Sequence, residues 1–152
     1  MSDASSLVKR FDEAVPSYHG PHPQPTEFSI RKINEHFGIQ LPQLWIELAC
    51  GSKSFSSWFS SIGPDFESHS HIIRINSYYR RRRRTRRIPD HLVIVNLGFD
   101  YDCDCLDIDT LDKATGNYAL RYWSPDRDNE MRWATFEDYV RKFIRHREDP
   151  TR

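Results

Sequence analysis

No stretch of this 152-residue chain approaches the roughly 20 apolar residues that a membrane-crossing helix needs, so a helical membrane protein is excluded. The first residues lack a basic segment followed by an apolar one, and a soluble, cytoplasmic protein is the expectation. Cysteine is scarce. Cys50, Cys103 and Cys105 are odd in number and have no framework spacing, which argues against a disulfide scaffold and suits a reducing compartment. Phosphate-binding loop, nucleophile elbow and His-Glu-x-x-His helix are all missing. The seven histidines (His19, His22, His36, His69, His71, His91 and His146) are scattered over linker, helix and loop positions. With no nucleophile placed beside a base, the expectation is a protein that is not an enzyme and holds no cofactor.

Net charge is missing too: Lys plus Arg equals Asp plus Glu at 22 each, which argues against a surface that courts nucleic acid or membrane throughout. The balance conceals an asymmetry. Residues 71–90 hold eight Arg against one Asp, and residues 98–112 hold six Asp and no Lys or Arg.

A hydrophobic fraction of 38% and an aromatic fraction of 13% suffice for a packed interior. A single domain of this length buries roughly 70% of its extended surface. Residues 92–123 organise it. An apolar run at 92–95, an alternating run around Cys105, Leu106, Asp107 and Ile108, and an aromatic-rich run at 118–123 after Thr115-Gly116-Asn117 predict three strands with short connections. They form an antiparallel meander, a sheet that usually buries one face.

Helices supply the cover. Leu7, Phe11 and Val15 recur every four residues in a short helix that Pro16 ends, and prolines 21, 23 and 25 make a linker. Residues 1–25 are thus a short helix and Pro-rich linker, 26–147 the main domain, and 148–152 a tail. Helix 26–37 starts at Thr26 or Ser29 and stops at Gly38; helix 42–50 carries Trp45, Leu48 and Ala49 on one face. The segment 71–75 fits either a strand or a helix start. Thr135, with Asp138 three residues on, caps a helix whose Phe136, Tyr139, Val140, Phe143 and Ile144 share one side.

Three clusters invite chemistry. The aspartates 100, 102, 104, 107, 109 and 112 suggest calcium, but an EF-hand template laid on Asp100 meets Cys105 where glycine belongs and Leu111 where glutamate belongs. Solvated outward faces of a hairpin, or a surface that steers a basic partner, are the remaining readings. Cys103 and Cys105 share a strand face, yet zinc would need His69 and His71 from a distant element; a buried thiol at Cys105 is the expectation, with Cys103 open to solvent. The run Arg80, Arg81, Arg82, Arg83 and Arg84 could be a solvated loop, could meet an acidic partner, or could grip phosphates with Tyr78 and Tyr79 stacking on bases.

Several signals then fall in one order: Leu41-Pro42 with Trp45 and Leu48, Gly51, Ile88-Pro89-Asp90-His91-Leu92, Cys105-Leu106-Asp107, Tyr122-Trp123, and Thr135-Phe136-Glu137-Asp138-Tyr139. In this order and type of motif, residues 26–144 resemble the SUKH superfamily, of the Smi/Knr type. The resemblance implies an α+β domain with helices around a mainly antiparallel sheet. It also implies a non-catalytic immunity protein that neutralises a cognate polymorphic toxin by direct binding. The alternatives are a regulatory scaffold for an intracellular partner and, third, a small enzyme of unknown reaction. The chain departs from the family pattern in its acid-rich 96–104 connection and in its arginine run. Both are regions that an immunity protein could vary to match its toxin, so Asp100, Tyr101, Asp102, Asp104 and Arg80 to Arg84 are the candidate partner-binding residues. Trp58, Phe59 and Tyr101 are candidate anchors, with a core position the competing fate of Trp58.

Overall fold

The computed structural model describes residues 3–16, 25–55, 68–83, 86–97, 102–126 and 131–151. Trp58, Phe59, Arg84, Asp100 and Tyr101 lie outside them, as does most of the Pro-rich linker. The described elements are α1 (Asp3–Ala14), α2 (Glu27–Phe37), α3 (Gln43–Gly51), α4 (Ser68–Arg81), β1 (Leu92–Leu97), β2 (Cys103–Asp112), β3 (Asn117–Trp123), β4 (Arg132–Trp133) and α5 (Phe136–Glu148). The strands form one antiparallel sheet in the order β1-β2-β3-β4, and with the helices they make a single α+β domain.

Local chemistry sets the helix ends. Thr26 in extended backbone accepts a hydrogen bond from the Ser29 amide at 3.2 Å and so starts α2. Gly38, at φ 64°, ends it in the left-handed region that a side chain would strain. Thr135 accepts from the Asp138 amide at 3.0 Å and starts α5. Helix α1 joins the main core through Leu7 and Phe11. The Phe11 ring stacks on Phe143 of α5 and meets Phe55 edge-on, each at 6.0 Å. Below it, the Asp12 carboxylate accepts from Ser52 Oγ at 2.6 Å and from the Ser54 amide at 3.1 Å, fixing the chain that leaves α3.

The expectation of a one-sided sheet fails. Val93, Val95, Leu106, Tyr118 and Leu120 pack against α1, α2, α3 and α5. Leu92, Ile94, Cys103, Cys105 and Trp123 form a second cluster on the opposite side, with Tyr79 of α4 and Ile88. The segment 71–75, open between strand and helix, belongs to α4. A fourth strand, β4, also escapes the sequence reading; two residues long, it hydrogen-bonds β3 opposite Leu120 and Arg121.

Helix α4 has a second task. Strand β1 is at the edge of the sheet, and the backbone of Ile94 faces away from β2. The Asn76 side chain, 1% exposed, meets it as a strand would: Oδ1 accepts from Ile94 N–H at 2.8 Å and Nδ2 donates to Ile94 O at 2.9 Å. One turn later Arg80 Nη2 donates to Leu92 O at 3.2 Å and to Asp90 O at 3.4 Å. Asn76 and Arg80, four residues apart on one helix face, thereby satisfy an edge that burial would otherwise leave without partners. Asn76→Ala should cost about 2–3 kcal/mol, because it strands a buried N–H and C=O together, and urea denaturation of the variant measures the loss.

Candidate functional site

The sequence-derived candidates divide once placed in the fold. Within the arginine run, half-buried Arg80 is engaged by the β1 edge and its guanidinium lies 5.6 Å from the centre of the Phe37 ring, which gives it a structural role. Arg82 lies over the Tyr78 and Tyr79 rings at 5.3 and 5.7 Å, and Arg87 Nε donates to its carbonyl at 3.0 Å. Arg81 and Arg83 are exposed, as are Arg86 and Arg87. A basic surface therefore does exist at the C-terminal end of α4, where the helix dipole favours cations. Base stacking by both tyrosines is ruled out: Tyr79 is 2% exposed and packs edge-on against Trp123 at 5.4 Å.

The aspartates correct the expectation of a solvated hairpin. Asp109 and Asp112 do face solvent, and Asp112 sets the hairpin turn. Its carboxylate accepts from the Ala114 amide and the Thr115 hydroxyl, each at 2.9 Å, and these bonds hold its pKa below the ordinary aspartate value. Asp107 is instead buried, paired with Arg121 Nε at 2.8 Å. Asp104 turns inward as well. A bulge between Ile94 and Asn96 shifts the β1 register, so Asn96 stands opposite Asp104 instead of Val95. Tyr139 Oη donates to Asp104 Oδ2 at 2.8 Å, and the Asn96 side chain adds another hydrogen bond. Trp133 of β4 covers Tyr139, with ring centres 4.9 Å apart. Asp104 is half-buried, as is Asp102, and its carboxylate is engaged by Tyr139 and Asn96 within the chain.

Burial pushes the Asp104 carboxyl up to about 6; the Tyr139 and Asn96 hydrogen bonds oppose this and the Asp102 charge adds to it. Burial, joined by the neighbouring Asp104 charge, lifts the Tyr139 phenol well above its usual value. Cys103, expected at the surface, is buried beside Cys105. Burial, with Asp104 and Asp102 adding, pushes the Cys103 thiol to about 12, and Cys105 is raised for the same leading reason. Both therefore remain protonated thiols at neutral pH, poor nucleophiles and poor metal ligands. Among the described residues no group of three or more His, Cys, Asp or Glu could hold a metal ion, and no helix is long and apolar enough to cross a membrane.

The sequence did not reveal an open groove of about 900 Å³ between α2 and the β2–β3 hairpin. Ile30, Ile39, Ile46, Leu111 and Tyr118 form its apolar surfaces, and Glu27, Arg31, Glu35 and Lys113 its charged ones. Tyr118 Oη, accepting from the Gln40 amide at 3.2 Å, ties the hairpin to the turn after α2 and fixes the groove's width. Leu111, 40% exposed, was the available signal, as an apolar residue in an acid-rich hairpin.

Neither a protein-family model nor a curated protein sequence matches the chain. Its backbone is similar to the crystal structure of a protein from Pseudomonas syringae pv. tomato, with a TM-score of 0.56 over 90% of this chain and 95% of that one, at 16% sequence identity. The likeness at that identity concerns the fold.

The Asp104 network has a pH signature. The folded carboxyl keeps its proton to about pH 6, whereas an unfolded aspartate releases it near ~3.9. The stabilisation is complete below ~3.9 and is lost as pH rises through about 6. Asp104→Asn should therefore raise stability by about 1–3 kcal/mol at neutral pH and flatten that part of the profile, as followed by thermal denaturation across pH.

Proposed function

We propose that this chain is an immunity protein of the SUKH type, a cytoplasmic binding module that neutralises a protein toxin by occupying its surface. The observation that carries this reading is the groove between α2 and the β2–β3 hairpin. Its apolar surfaces from Ile30, Ile39, Ile46 and Tyr118, beside charges at Glu27, Arg31, Glu35 and Lys113, have the composition of a protein interface, apolar within and polar at the rim. Leu111 stands at the hairpin side of the groove as an anchor. The order of motifs from Leu41-Pro42 to Thr135-Phe136-Glu137-Asp138-Tyr139 supports the family assignment. The basic end of α4 adds long-range attraction for an acidic partner, which acts on association rate more than on final affinity. Occlusion needs no covalent step: the work is exclusion of the toxin's own target by a bound surface.

The product of the gene adjacent to this one should co-purify with the protein, and co-expression should rescue cells that produce its toxic domain. Failure of both would remove the immunity reading. Leu111→Asp, at an exposed position, should weaken the complex by about 2 kcal/mol, roughly 30-fold, by titration calorimetry. An unchanged affinity would move the interface away from the groove. Arg81→Glu with Arg83→Glu should slow association and flatten its salt dependence while leaving the dissociation rate nearly unchanged.

A further inference from the structure

The C-terminal end of α4 gathers cations around one open aromatic ring. Tyr78 is 58% exposed, whereas its buried neighbour Tyr79 meets it edge-on at 5.2 Å and holds the ring on the helix surface. Arg82, four residues on, lays its guanidinium 5.3 Å from the centre of the Tyr78 ring. Arg81, Arg83 and Arg87 are exposed nearby, and Arg87 Nε donates to Arg82 O at 3.0 Å, which holds the segment after α4 against the helix end. The guanidinium groups of Arg81 and Arg83 have no ion pair or hydrogen bond among the described residues. Asp90 is the single acid between residues 71 and 90, so the arginines are not neutralised from their own segment. We infer that this end of α4 is a binding surface for a single-stranded nucleic acid, with the Tyr78 ring taking a base and the arginines the neighbouring phosphates.

Ring and arginines answer the two parts of such a strand. Each phosphate that an arginine neutralises releases condensed counterions, and an exposed ring offers stacking to an unpaired base. A duplex keeps its bases stacked on one another and has none to lay on Tyr78. An acidic protein surface engages the arginines alone and leaves the ring without a role. The platform is braced: Asn76 and Arg80, on either side of Tyr78 in the sequence, fasten α4 to the β1 backbone, so little ordering of the helix is required when a ligand arrives. Stacking and phosphate contacts carry no sequence information, and binding of this kind tolerates any sequence.

The experiment measures fluorescence anisotropy of labelled oligouridine, oligothymidine, a short duplex and polyglutamate against the whole protein, from about 50 to 200 mM salt. At least one single strand is expected to bind, with log affinity falling by about 2 per decade of salt, three arginines at roughly 0.7 each. Tyr78→Ala should weaken that binding about tenfold and leave the slope in place, the loss of one stacked base, while Tyr78→Phe binds as the parent does. Arg81→Ala with Arg83→Ala should lower the slope by about 1.4. Tighter binding of oligouridine identifies RNA as the ligand, of oligothymidine DNA, and equal affinity a surface indifferent to the sugar. Absence of strand binding at the lower salt overturns the inference, as does an affinity that Tyr78→Ala leaves unaltered or a duplex bound as tightly as the strand. Polyglutamate bound as tightly also overturns it and returns the patch to an acidic protein partner. No toxin takes part in the measurement, so its result stands apart from the immunity reading.

Discussion

The fold depends on how one strand edge is closed. β1 contributes to both hydrophobic clusters through alternating residues, so it must be buried, yet it has β2 on one side only. A buried strand with an open ladder would leave backbone groups dry and unpaired. The carboxamide of Asn76 and the guanidinium of Arg80 supply those partners from α4. That the same helix also places Tyr79 against Trp123 explains why the sheet can be covered on its second face. Cover and edge closure are thus one device, and both require α4 to lie where Ile94 and Leu92 present their backbone.

Much of this architecture was legible in the sequence. Thr26, Gly38 and Thr135 act as the capping rules require, because a cap is a local hydrogen bond or a local dihedral. The meander was legible because strand alternation and turn chemistry are local as well. Helix α4 was obscured for a physical reason. Its buried line runs through Ile72, Asn76 and Tyr79, so a polar residue interrupts the apolar periodicity at the position that meets the β1 backbone. Arg80 was read only as part of the arginine run and Asn76 drew no reading, because their partner is main chain, which has no signature in composition.

The acidic strand misled in a similar way. Asp104 and Asp107 stand three residues apart in an acid-rich run, but they lie on opposite faces and each is engaged by a different partner. Tyr139 comes from α5, and Arg121 from the next strand. The bulge that brings Asn96 to Asp104 is one extra residue in β1, invisible to a pattern of period two. What remained outside, Asp109 and Asp112, frames the hairpin whose Leu111 opens on the groove. Surface grooves arise where distant elements converge, and neither periodicity nor motif spacing encodes that convergence.

Closing β1 with side chains also limits the ways another polypeptide can be recognised. Many binding domains capture an extended peptide by adding it as a further strand, letting main-chain hydrogen bonds provide affinity with little demand on the captured sequence. Here the donor and acceptor that such a peptide would use at Ile94 are occupied from within. A peptide could be added as a strand at this edge only by displacing the Asn76 carboxamide, so β1 is closed to that mode of capture.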